Sequence, residues 1–409
     1  MTGARLLTWR RTVCATPFFH SIVILAVVLA QFVALLLLLA RLARGRSRRP
    51  PVEPLTGGGD IRESSVSVIV ATLNEGKRIG PCLEGLGAQG APLLEVIVVD
   101  SRSSDDTPQL VRAMSRRDSR FRLENDPPLP KDWIGKVWAL QHGLHQARGE
   151  WVLGMDADTE PQPGMVAGAV AAAESLGYDV VSFSPQFADM TMAEQWVQPS
   201  MLLTLVYRFG AAGITDPPPH RVMANGQCFL AKRDTLRAHG GYELARLSWA
   251  DDVTLARALA TRGVRVGFLD GSRLYKVRAY EGLGHMWHEW GRSFDLADAT
   301  SRWTQWRDVA FICLVQGLPL LVVLAFMLGV VQVSSPLTLA WLRINQTLIA
   351  IRVLMLLALW GSYERRTLGF WLSPLADPLA AWRLLLSTVR RPRGWRGRTY
   401  TLGEERSAS

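Results

Sequence analysis

GEWVLGMDADTEPQPG, residues 149–164, carries an apolar run straight into a pair of acids. Its first half, Trp151-Val-Leu-Gly-Met155, has no polar side chain, so it predicts a strand covered on both faces. The strand runs into Asp156-Ala157-Asp158. In an extended chain, residues i and i+2 share a face about 7 Å apart, so both carboxylates leave the strand together. Working outward, apolar β-branched runs recur at 66–71, 95–99, 121–123 and 180–184. Helical patterns separate them at 79–88, 107–116, 137–147 and 165–176. This alternation predicts an α/β fold with a mainly parallel sheet covered on both faces. In such sheets ligands bind at the carboxyl ends of the strands. The polar residues follow that rule: Thr72, Asn74 and Glu75 leave the first strand, Asp100 ends the second, and Asp156 and Asp158 leave the fourth. No GxGxxG and no GxxxxGK[ST] follows any strand, which argues against dinucleotide and P-loop chemistry.

The carboxylates suggest chemistry by type and place. Asp156 and Asp158 either cap the next turn or hold a hard divalent cation. After an apolar strand, the metal reading is the expectation. Mg²⁺-like ions take few protein carboxylates and complete their shell with water and substrate phosphates. Asp100 is placed to accept hydrogen bonds from a ribose or base, whereas Asp105 or Asp106 caps the following helix. Gly135-Lys136 opens a helix, where a lysine can meet a diphosphate. Asp251-Asp252 opens DDVTLARALATRG. Paired acids complement a helix N-terminus in any case, but one aimed at a donor sugar can also serve as a general base.

Hydrophobic residues make up 48% of the 409 and charged residues 20%. That excludes both a disordered chain and one lying wholly in lipid. The net charge is +10, and its densest arginine runs, 41–49 and 390–398, flank apolar segments. The charge therefore belongs to a membrane boundary and not to nucleic-acid binding. Residues 18–40 form an apolar run that spans about 34 Å as a helix, enough for a bilayer core of about 30 Å. No cleavage site follows it, so it reads as a retained anchor. Residues 309–333 and 337–360 read as two further spans, the last with Arg343, Asn345, Gln346 and Arg352 inside it. Five arginines follow the first span and three precede it. The rule that basic flanks stay inside predicts a multi-pass cell-membrane protein with a cytoplasmic catalytic domain. Residues 368–389 contain Pro374, Asp377, Pro378 and Arg383 and predict a re-entrant or interfacial segment. The cysteines Cys14, Cys82, Cys228 and Cys313 are scattered, which predicts neither disulfides nor zinc and suits a reducing compartment.

The ordered motifs ATLNE (71–75), VVDSRSSDDT (98–107), GKVWAL (135–140), GEWVLGMDADTEPQPG, ANGQCFLAKRDTLRAHGGYE (224–243) and WADDVTLARAL (249–259) resemble family-2 glycosyltransferases of the Rossmann-like GT-A fold. The chain is most similar to the membrane-anchored branch acting on carotenoid and hopanoid-type lipids, and WRGRTY (395–400) is similar to that branch's tail. The resemblance implies that Asp100 contacts the nucleoside and that Asp158, helped by Asp156, holds Mn²⁺ or Mg²⁺ with the diphosphate. It implies that Asp252 is the base. Asp251 stands where the family has Glu, and Ser101 where it has a second Asp. The QxxRW signature of processive synthases is absent; in its place stands WHEWGR (287–292), from which Arg292 can reach the diphosphate. The donor that the resemblance implies is a nucleotide-diphosphate sugar, and the acceptor a membrane lipid such as a carotenoid or other isoprenoid. Two alternatives are a sugar transferase to polyprenyl phosphate and an inactive nucleotide-sugar-binding scaffold. Segments 192–209 and 278–297 predict amphipathic helices on the membrane surface, or helices packed on the catalytic domain. The expected division is an anchor (1–45), a linker (46–63), a GT-A catalytic domain (64–277), an interfacial segment (278–307), a membrane region (308–389) and a basic tail (390–409).

Overall fold

Val66–Thr72 (β1) is an interior strand of a seven-stranded sheet, and every residue of VSVIVAT except Ala71 is buried. Its alternate side chains feed two different cores. Val66, Val68 and Val70 pack on one face with Ile79, Leu83, Val111, Met165 and Val170, whereas Ile69 packs on the other with Val137, Leu140, Leu255 and Leu259. Each fully buried aliphatic side chain of this kind stabilises by about 1.5–3 kcal/mol.

The computed structural model describes residues 17–56, 65–278 and 280–390, with the backbone of Gly394–Trp395 and Arg398–Thr399. The other strands of the large sheet are Leu93–Asp100 (β2), Phe121–Asn125 (β3), Trp151–Asp156 (β4), Val180–Ser184 (β6), Cys228–Lys232 (β8) and Val266–Asp270 (β9). The order is β3-β2-β1-β4-β8-β6-β9. Every pairing is parallel except those of β8, which runs antiparallel to β4 and β6. Register aligns the strand ends: Thr72 sits opposite Asp100, and Ala71 opposite Asp156. A small sheet of Thr159–Pro161 (β5), Gln186–Phe187 (β7) and Tyr275–Val277 (β10) lies beside it. The covering helices are Ile79–Gly87 (α2), Thr107–Arg117 (α3) and Met165–Leu176 (α5) on one face. Gly135–Gln146 (α4), Arg233–Ala238 (α7) and Asp251–Thr261 (α8) cover the other. The expected α/β sheet is the observed one, with its mixed strand β8 added.

Among the described residues, three helices are long and apolar enough to cross a membrane. The first, Pro17–Ala43 (α1), is continued by a 3-10 turn at Arg44–Ser47. The second joins Arg302–Ile312 (α10) to Leu318–Met327 (α11) through a π-helical turn at Cys313–Gly317. That turn lies just before Pro319, whose ring and missing N–H disturb an α-helix. The third, Pro336–Ala358 (α12), starts at a Ser335 cap whose hydroxyl accepts from the Thr338 N–H. Residues 368–389 form no single crossing. They fold as Leu368–Leu372 (α13), a 3-10 turn and Asp377–Val389 (α14), and pack on Met192–Phe209 (α6) and Leu283–Phe294 (α9).

Three expectations change. The linker is pinned where it is described: Val52 N–H donates to Asp270, and Leu55 N–H to Gly164. The described residues 50–56 are therefore a strap on the catalytic domain. Second, α6 does not lie on a surface. Gln195, Gln198, Ser200, Thr204 and Arg208 are buried in it, and the first four bond to residues of 316–367 and 373 in the C-terminal helical cluster. Third, α9 buries Met286, Trp290 and Phe294 in the same cluster, so its apolar stripe is spent on protein. The tail motif WRGRTY, Arg5, Arg10, Arg11 and Cys14 lie outside the residues whose side chains are described.

Candidate active site

At the carboxyl ends of β1 and β4 opens a cavity of about 1090 Å³. Thr72, Asn74, Glu75, Lys136, Asp156, Asp158, Asp251, Asp252 and Arg292 all line it. Residues up to 220 positions apart in the chain thus converge, because the parallel register brings strand ends to one edge and α8 and α9 close over it.

Asn74 turns the chain out of β1 at φ 56°, a left-handed conformation that asparagine tolerates well. Its side-chain oxygen accepts from the Ser104 N–H at 2.9 Å, which clips the β1 and β2 loops together. Glu75 is buried and pairs with Arg78 at 2.7 Å. Lys136, on the second residue of α4, reaches Asp156 at 2.6 Å. Burial works against its charge, yet Asp156, Asp251 and Asp252 outweigh that and hold the ammonium well above its ordinary range. It is thus the electrostatic link between the DxD pair and the acids of α8.

Asp158 is the residue whose surroundings ask for a cation. Its Oδ1 is buried and has no hydrogen-bond partner. Burial, then Asp156, push its carboxyl well up, with Arg78 opposing. An oxygen so placed is costly without a counter-charge. Among the described residues no group of three or more His, Cys, Asp or Glu gathers to form a complete metal cage. Two carboxylates beside an open cavity suit an ion that draws its remaining ligands from water and phosphate.

Asp252 accepts from the Gly226 N–H at 2.7 Å and from the Val253 N–H at 2.8 Å. Burial, then Asp251, raise its carboxyl. Asp251 is raised by burial too, with Lys136 and Arg292 opposing. A side chain at Gly226 would press on the neighbouring lysine, since a Cβ there would lie 3.2 Å from the Lys136 Nζ. Arg292 is paired with Glu289 on α9.

Asp100 is held within the fold by its neighbours at the strand ends. It is buried and does not line the cavity. Its carboxylate accepts from the Thr72 hydroxyl at 3.1 Å and from the Ser103 N–H and hydroxyl at 2.9 and 2.5 Å. Ser101 and Asp105 line the wall instead. Ser101 donates to Asp126 at 2.8 Å, and Asp105 caps α3 through the Thr107 N–H, as expected of it.

Other wall residues had no role assigned from sequence. Asn225, Gly226 and Gln227 form the turn before β8, and His285, His288 and Glu289 share one face of α9 with Arg292. The available signal was the polar trio before an apolar strand, and the i, i+3, i+4 and i+7 spacing in GHMWHEWGR. The far wall is apolar: Leu202, Leu205 and Val206 come from α6, Met355 and Ala358 from the end of α12.

The family model described as glycosyl transferase family 2 matches residues 67–240. Over 96 residues the chain is 33% identical to a 4,4'-diaponeurosporenoate glycosyltransferase of Staphylococcus haemolyticus, covering 24% of each chain. Over 159 residues it is 28% identical to an undecaprenyl-phosphate 4-deoxy-4-formamido-L-arabinose transferase of Pseudomonas fluorescens, covering 37% of this chain and 44% of that one. The chain thus spans from a quarter to less than half of the length of these two curated relatives. In structure it is similar to a mannosyltransferase of Pyrobaculum calidifontis solved with GDP-mannose and Mn²⁺, at a TM-score of 0.53 and 20% identity, covering 90% of this chain and 97% of that one. That likeness, over most of the chain, is one of fold, the mixed α/β GT-A fold, and the match to glycosyl transferase family 2 lies in the part of the chain that carries the large sheet, residues 67–240.

Proposed function

We propose that this protein is an inverting, multi-pass membrane glycosyltransferase that moves a sugar from a nucleotide-diphosphate donor to a hydroxyl of a membrane lipid, a carotenoid or other isoprenoid. The observation that carries the reading is the continuity of one cavity from Asp156, Asp158 and Asp252 to Leu202, Leu205, Val206 and Met355. A polar donor and an apolar acceptor need such a two-ended site.

The donor diphosphate lies between Asp158, Lys136 and Arg292. Asp158 and Asp156 would hold Mn²⁺ or Mg²⁺ there, and the ion would supply positive charge to offset that developing on the leaving diphosphate. The two backbone N–H groups on Asp252 fix its carboxylate towards the cavity. Asp252 takes the acceptor proton as the hydroxyl attacks the anomeric carbon from the face opposite the diphosphate, so an α-linked donor gives a β-linked product. Asp100 acts by holding the β1 and β2 loops around the nucleoside.

A second reading, transfer to polyprenyl phosphate, is favoured by the relative from Pseudomonas fluorescens, which is named for such an acceptor. Mass spectrometry of lipid extracts from cells with and without the gene separates the two. A missing neutral glycolipid supports the first reading, and a missing sugar-phosphate lipid the second. Unchanged lipids, with no turnover by the purified enzyme, leave only a nucleotide-sugar-binding scaffold.

A further inference from the structure

Away from the cavity, six arginines collect around one carboxylate. Arg208 at the end of α6 is buried and bonds through Nε to Asp308 at 3.1 Å. Arg221 donates to the Arg208 carbonyl, and Arg41 in the last turn of α1 to the Tyr207 carbonyl at 2.9 Å. Arg257 of α8 donates to the carbonyls of Val222 and Ala299. Arg44 and Arg307 act on Arg221 with their charge, and both are exposed. Asp308 is the one acid among the described residues whose charge offsets those of Arg208, Arg221 and Arg257.

Such a surplus of positive charge is costly in a half-buried place. It is also incompletely bonded: Arg208 Nη1 and Arg257 Nη2 are buried without hydrogen-bond partners. Packing does not relieve this. Arg208 and Arg257 stack over Phe209 at 4.6 and 5.2 Å, contacts that favour the cations but leave those N–H groups unmade. The remaining need is for acceptor oxygens that carry negative charge. A phosphate group supplies several, in the geometry that guanidinium forks match.

The position says where that phosphate comes from. Arg41 and Arg44 end the first apolar helix, and Arg307 lies in the opening turns of the second. Beside it Trp303 and Trp306 are 71% and 43% exposed. Tryptophan and arginine together at the ends of apolar helices mark the headgroup level of a bilayer. None of the six arginines lines the catalytic cavity.

We propose that this cluster binds the phosphate of an anionic phospholipid at the headgroup level of α1 and α10. Arg44 and Arg307 meet the phosphate from exposed positions beside half-buried Arg221, and its negative charge offsets the surplus on buried Arg208 and Arg257 behind them. Phe209, under two of these arginines, belongs to an apolar cluster with Met223, Val253 and Leu296, and those three do line the cavity. Lipid at the cluster therefore braces the wall next to Asp252.

The test uses the full chain in neutral detergent, with native mass spectrometry and thermal melting. Dioleoyl-phosphatidylglycerol should bind in preference to dioleoyl-phosphatidylcholine and raise the melting temperature. Arg44→Gln with Arg221→Gln and Arg307→Gln should weaken that binding on the order of tenfold to a hundredfold, at several-fold per charge. The corresponding lysine triple should keep most of it. Should the glutamine triple not fold, Arg44→Gln alone removes an exposed side chain and should weaken binding several-fold. Equal binding of the two lipids, or undiminished binding by the folded glutamine variants, would overturn the proposal. So would an equal thermal shift from inorganic phosphate alone, which would make this a site for a soluble anion.

Discussion

Single residues carry the chemistry, and Asp252 is the most exposed to test. Removal of a general base typically costs about 10²- to 10⁴-fold in rate. Asp252→Asn keeps the shape and can still accept from the Gly226 N–H, so it should lose turnover by that factor while donor binding stays close to normal. Single-turnover assays and donor titration by calorimetry read the two separately; near-normal turnover removes Asp252 from the role. A pH effect follows from its surroundings. Burial and Asp251 push the Asp252 carboxyl up to about 7. The base works ionised, so turnover should rise with pH through that region and level off above it, and the residual activity of Asp252→Asn should lack this limb. Asp158 predicts a different loss. Its orphaned buried oxygen is the reason to expect that chelation abolishes transfer and that Mn²⁺ or Mg²⁺ restores it. Asp158→Asn should weaken donor binding itself, whereas full transfer in excess chelator would contradict the metal role.

Among the elements, α6, α12 and α14 are joined by a buried ion pair that neither charge could tolerate alone. Arg352 of α12 meets Asp377 of α14 at 2.9 Å, with Ser200 of α6 and Ser373 bonded to the same guanidinium. Removing one partner of a buried pair costs about 3–5 kcal/mol, because the other is left charged and dry. Asp377→Ala should therefore lower the melting temperature sharply. Arg352→Met with Asp377→Leu should recover most of that loss, since both charges leave together. Equal destabilisation by the single and double variants would mean that shape, not charge, governs the site. Arg352 in sequence is an arginine inside an apolar run, which signals a partner without naming it. The partner lies 25 residues on, past a turn, and only helix packing brings the two together.

For the whole molecule, the arrangement requires the sugar donor and the carboxylates to share one side of the membrane. We propose, from the arginine surplus after α1, that this side is the cytoplasm. In a Cys14→Ser background, Ser175→Cys at the exposed end of α5 should resist an impermeant thiol reagent in intact cells and react after lysis. Gln332→Cys, in the exposed turn between the second and third apolar helices, should react in intact cells. The reverse pattern would invert the proposed topology.

The sequence by itself determined the periodicities. Apolar runs ending in polar residues marked β1, β2, β4 and β6 to within two residues, and long apolar runs marked the three apolar helices among the described residues, because burial in a sheet or in lipid leaves a local imprint. It also marked the acids at the strand ends, since polar groups at the end of a buried run have few other uses. Tertiary structure alone decided which of them share a space. Asp100 sits in the same kind of position as Asp156, yet the fold turns it inward to Thr72 and Ser103. The antiparallel β8 brings Gly226 under Asp252, and α6 was drawn into the helical cluster by its own buried glutamines and serine. These are long-range pairings whose strength depends on desolvation and geometry, and neither is written in the spacing of neighbouring residues.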